Sequence, residues 1–147
     1  MLPKNLILEM VAPERQVLRE TVDSVQLPGL DGELGILPGH APLLTELGVG
    51  KLSYRQGSEV HTATVMRGFA EVLAGRVIVL AERSERAEEI DVTRARAALE
   101  RAEKRLIPAA DSDVDFARAQ DALRRALLRV QVGETRGMLT GATVKHG

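Results

Sequence analysis

Leu6, Leu8 and Met10 alternate with Ile7, Glu9 and Val11, which is the period of a β-strand with two different faces. Val25 and Leu27 lead into a glycine-rich stretch, and further apolar pieces follow at 48–55, 60–66 and 69–73. Turn signals at Gln56-Gly57, Arg67-Gly68 and Ala74-Gly75 separate them. The continuous run at 77–81 predicts a strand buried on both faces or closing a core. Short strands with frequent turns predict an antiparallel sandwich or barrel. Nine of the 13 glycines lie before residue 84, in keeping with that reading.

The period changes at Glu82. From there to Arg129 the chain has no glycine and is rich in Ala, Arg and Glu, most of them good helix formers. Asp91 is placed to cap a helix whose apolar stripe is Val92, Ala95, Leu99, Ala102 and Leu106, with Pro108 as its stop. Asp111-Ser112-Asp113 offers a second cap, and Phe116, Ala119, Leu123, Leu127 and Val130 form a second stripe. The short break predicts an antiparallel hairpin, and its alanine content predicts weak packing and freedom to dock or open. These patterns divide the chain into a β domain at 1–86, a helical hairpin at 87–132 and a flexible tail at 133–147.

Composition narrows the functional classes. A net charge of −1 and only Tyr54, Phe69 and Phe116 as aromatics disfavour nucleic-acid binding. The absence of cysteine removes disulfides, thiolate metal sites and cysteine nucleophiles. No apolar run approaches the roughly 20 residues that span a bilayer, and the N-terminus does not read as a signal peptide. No hydrolase, phosphate-loop or dinucleotide motif occurs, and His40 and His61 lack a close histidine partner. They read as a turn-stabilising His40 and an exposed strand His61. Neither a catalytic constellation nor a metal site is expected.

The arginines are distinctive. Arg94, Arg101 and Arg105 are spaced by seven and four, and so are Arg118, Arg125 and Arg129. Each trio falls within about 40° on one side of its helix. A solvated face laced with ion pairs is the plain explanation, yet Arg101, Arg105 and Arg129 have no acid three or four residues upstream. Paired helices would bring the rows together, and a polyphosphate bridging them would relieve the repulsion.

Two segments carry a family resemblance: Pro28-Gly29-Leu30-Asp31-Gly32-Glu33-Leu34-Gly35-Ile36-Leu37-Pro38-Gly39-His40-Ala41-Pro42, and Ile90-Asp91-Val92-Thr93-Arg94-Ala95. In wording, order and spacing they resemble the hallmark loop and ATP-binding motif of the epsilon subunit of F-type ATP synthases. The resemblance covers residues 5 to 131 and implies a sandwich of about ten strands followed by a two-helix hairpin. It implies a non-catalytic rotor subunit that couples proton flow to ATP synthesis. The implied partners are the gamma subunit and the membrane c-ring, met through Glu33 and His40. The implied location is peripheral, on the cytoplasmic face of a bacterial inner membrane. Extended into the alpha/beta catalytic head, the helices would inhibit ATP hydrolysis; folded on the sandwich, they would permit it. ATP is implied as a regulatory ligand, with no cofactor required. By that resemblance Ile90, Asp91, Arg94 and Ala95 complete the motif, Arg101, Arg118, Arg125 and Arg129 meet phosphates, and Asp91 and Glu85 face the base and ribose. The alternative is a free-standing ATP-sensing adapter with the same site. A small enzyme built on His40 with Asp31 or Glu33 is a further rival.

Overall fold

In the computed structural model, which describes residues 3–109 and 113–135, β1 (Leu6–Ala12), β2 (Arg15–Val22), β3 (Ser24–Gly29), β4 (Gly32–Ile36), β5 (Leu43–Gln56), β6 (Glu59–Leu73) and β7 (Arg76–Ala81) precede all helices. A short 3-10 turn (Ala87–Glu89) leads to α1 (Val92–Ala109) and α2 (Asp113–Thr135). The strands form one hydrogen-bonded sheet in the order β2-β1-β7-β6-β5-β3-β4. Every pairing is antiparallel except that of β1 with β7.

The sheet folds over on itself, because β5 and β6 each contribute to both layers. Leu47 and Leu52 of β5 face one core, five residues apart, and so do Val65 and Ala70 of β6. An odd separation means that each strand turns its inner face over midway. In β6 this happens at Arg67 and Gly68, with φ of 68° and 147°. A Cβ on Gly68 would lie 1.9 Å from the Leu80 carbonyl oxygen, so only glycine fits. The edge strand β2 consequently packs against β5, and Gln56 Nε2 donates to Glu20 Oε1 at 3.1 Å and to Thr21 O at 3.0 Å.

Two expectations are corrected here. Seven strands replace about ten, because β5 and β6 are long strands serving both layers. Arg67-Gly68 is a kink within β6, whereas Gly57 and Ala74-Gly75 do sit in hairpin turns. Nor is β7 buried on both faces: Val77 and Val79 are in the core, while Leu80 is 54% exposed.

α1 buries the expected side, and Asp91 caps it, accepting the Arg94 N–H at 3.1 Å. The helix ends one residue past Pro108. On α2, Leu127 is 43% exposed, whereas Ala126, Leu128, Val130 and Val132 are buried. α2 packs on α1 and on β5 and β6, so its buried surface wraps wider than a single stripe. A second apolar cluster forms there from Met66, Ala87, Ile90, Ala95, Leu128, Val130 and Val132. Residues 133–135 belong to α2 and not to a tail; the remainder of the expected tail, 136–147, and the cap residues Asp111 and Ser112 lie outside the described residues.

Candidate functional site

The segment joining sandwich to hairpin runs along β6 like an added strand. Thr64 N–H donates to Glu85 O at 2.8 Å, Met66 N–H donates to Arg83 O at 3.0 Å, and Ala63 bridges to Arg86. Thr64 Oγ1 also accepts the Glu85 N–H at 3.0 Å. Farther on, Glu89 accepts both outer nitrogens of Arg15 at 2.9 Å. That hydrogen-bonded cation, with help from the Arg86 N–H, pulls the Glu89 carboxyl down to about 2. Residues 87–90 are thereby fastened to the sandwich, and the expected boundary at 86/87 falls inside the attached segment.

Beyond this segment, Glu85, Glu89, Asp91, Arg94, Ala97, Ala98, Arg101 and Arg129 line a cleft of about 540 Å³. Arg129 lies on α2 and reaches across: its Nε donates to Glu85 Oε1 at 2.7 Å and its Nη2 to Glu85 Oε2 at 3.1 Å. This hydrogen bonding raises the Arg129 pKa further. Five of the expected site residues therefore meet: Glu85, Asp91, Arg94, Arg101 and Arg129. The acid missing upstream of Arg129 on its own helix is supplied by the linker.

The other expected residues lie elsewhere. Ile90 and Ala95 are 1% and 0% exposed and pack in the second apolar cluster. Arg118 is exposed and does not line the cleft. Arg125 donates to Asp121, which also accepts from Arg67 at 3.2 Å, and it lines a separate hollow of about 200 Å³ with Val49, Met66, Arg67, Glu82 and Arg83. Sequence reasoning missed Glu89, which lines the cleft. Its Arg86-to-Glu89 spacing hints at a cap, but nothing local announces Arg15.

At the far end of the sandwich, Glu33 is exposed on the edge strand β4, beside a hollow of about 350 Å³ that Asp31 and Glu46 also line. Much of the glycine-rich stretch is thus a β3–β4 hairpin. His40 closes a turn in which its N–H donates to Leu37 O at 3.0 Å, with Gly39 at φ 87°. The His40 Nδ1–H donates to Ala41 O at 2.6 Å. His61 is half-buried, stacked on Tyr54 with ring centroids 5.1 Å apart, which corrects its expected exposure. Among the described residues no cluster of His, Cys, Asp and Glu could hold a metal ion, and no helix is long and apolar enough to cross a membrane.

A folded-over β-sandwich carrying a docked helical hairpin, with its acids and arginines tied to one another, defines a binding and assembly module. Residues 5–87 match the ATP synthase, Delta/Epsilon chain, beta-sandwich domain, and residues 88–134 match the ATP synthase, Delta/Epsilon chain, long alpha-helix domain. The chain belongs to this family, as an epsilon-type, non-catalytic subunit of the F-type ATP synthase. It is 51% identical over 129 residues to the ATP synthase epsilon chain of Nitratidesulfovibrio vulgaris strain DP4, covering 88% of this chain and 96% of that one. Epsilon chain 2 of Syntrophotalea carbinolica is 50% identical over 129 residues, covering 88% and 94%. Among solved structures, a chain of the Euglena gracilis mitochondrial ATP synthase, OSCP/F1/c-ring in rotational state 1, shares the fold. Its TM-score is 0.76 at 23% identity, over 91% of this chain and 84% of that one.

Proposed function

We propose that this chain is a rotor subunit of the central stalk, linking proton flow to ATP synthesis and restraining ATP hydrolysis through its hairpin. The observation that carries the rotor reading is an exposed apolar face on the outer side of β5, β6, β7 and β1. Phe69 sits opposite Leu80, and Leu80 opposite Val11; Leu44 and Ile78 flank Glu71 in the next row. Phe69, Leu80, Leu73 and Leu44 are 51%, 54%, 50% and 72% exposed. Contiguous apolar surface of this kind marks a protein contact. Gamma covers this face in our reading, while Glu33, His40 and exposed Leu37 meet the polar loops of the c-ring. That arrangement holds a chain with no spanning helix among its described residues at the cytoplasmic surface of a bacterial inner membrane.

The test is purification of the tagged full chain from solubilised membranes. Gamma and the c-ring should accompany it at a fixed ratio, and Phe69→Asp should lose gamma while keeping the fold, since Phe69 is outside the core. A free-standing adapter would come away without gamma.

The hairpin cleft supports nucleotide binding. Arg94, Arg101 and Arg129 would meet phosphates, and the Asp91 side would face the base and ribose. Arg125 could join only by leaving Asp121. Because the cleft is formed by α1, α2 and the linker together, a bound nucleotide would favour the docked hairpin over an extended one that reaches the alpha/beta head.

A further inference from the structure

Arg94 and Arg101 have no carboxylate partner among the described residues, whereas the third cationic side chain of the cleft is already engaged. Arg129 presents Nε and one outer nitrogen to both oxygens of Glu85. Two parallel N–H donors are also what a guanidinium offers a phosphate. Glu85 is not free to yield by moving away with its backbone, since its N–H and its carbonyl are both tied to Thr64 of β6. Both Glu85 and Arg129 also line a neighbouring cleft of about 740 Å³, so the pair stands in the wall between two hollows.

We infer that Glu85 is an internal competitor for the cleft's anion: its carboxylate occupies the Arg129 edge that phosphate oxygens need, and so sets the affinity lower than the arginines alone would give. This rests on the nucleotide reading of the cleft and reverses the role that family resemblance gives Glu85, which is to hold the base and ribose. A ligand that takes Arg129 exchanges a tie between α2 and the sandwich linker for one between α2 and α1. It also leaves Glu85 facing Arg15, whose charge state already feels it.

Calorimetry of the full chain with ATP and with inorganic triphosphate tests this in wild type, Glu85→Gln and Glu85→Ala. Both variants keep the backbone ties to Thr64. The side chains of the pair are 29% and 32% exposed, so screening limits the competition. Removing the Glu85 charge should tighten both probes about two- to fivefold, the scale of such an ion pair. Adding Arg129→Ala to Glu85→Gln should abolish the gain. Weaker ATP binding by Glu85→Gln with triphosphate unchanged would overturn the inference and restore Glu85 as a ligand of the base and ribose. Unchanged affinity for both probes would overturn it too, leaving the nucleotide site standing. No binding of either probe by any variant would remove the site and the inference together.

Discussion

Glu89 accepts from Arg15 across 74 positions of sequence and takes the Arg86 N–H as well, so one carboxylate ties linker to strand. Its folded pKa of about 2 lies below the ordinary 4.5. The stabilisation is therefore complete above the ordinary value and is lost as the pH falls towards about 2. Glu89→Gln should melt below wild type at neutral pH, and the gap should close as acid protonates the wild-type carboxyl. A gap independent of pH would mean that charge is not what holds the linker. Individual residues were unevenly legible in the sequence. Asp91 could be read because a cap depends on its near neighbours, and so could the clustering of Arg94 and Arg101 on one helix face. Arg129 could be placed in the site, but its Glu85 partner could not, because that pairing depends on how α2 lies across the linker.

At the scale of elements, the close approach of α2 to the linker depends on Gly133. A Cβ there would meet Ile90 Cγ2 at 2.9 Å and Val92 Cγ2 at 3.0 Å. Ile90 is buried and Val92 is stiff at χ1, so neither yields readily. Gly133→Leu should cost about 1–3 kcal/mol of docking, the scale of overpacking. Amide exchange should show it as faster exchange at Val130 and Val132, with the β1 and β7 core unaffected. Gly133 read as the start of a tail because glycine disfavours helix interiors. Packing against Ile90 overrides that propensity, and only the tertiary arrangement reveals it. The count of strands failed for a related reason: Arg67-Gly68 carries the signature of a turn, and nothing local distinguishes a turn from a fold-over of a 15-residue strand. The α1 stripe was fully legible, since α1 buries one side; α2, contacted on two sides, was legible only in part.

Across the whole molecule, a large sandwich core contrasts with a small cluster under the hairpin. Much of what fastens the arm is polar and partly exposed: Arg129 to Glu85, Arg67 to Asp121, and Thr62 to Thr135. Such contacts contribute little each and weaken in salt, which suits an arm that must release. The central claim is that this arm restrains hydrolysis only after leaving the sandwich. The chain has no cysteine, and the Thr62 and Thr135 hydroxyl oxygens lie 3.1 Å apart across the docking surface. A Thr62→Cys/Thr135→Cys pair should therefore form a disulfide that locks the arm down, within reach of the usual S–S length of about 2.05 Å. The decisive measurement is ATP hydrolysis by the assembled complex carrying this pair, oxidised and then reduced. The account predicts faster hydrolysis when oxidised, a return to the restrained rate on reduction, and no redox effect with either single cysteine. Equal rates in both redox states, with the disulfide shown to form, would contradict it.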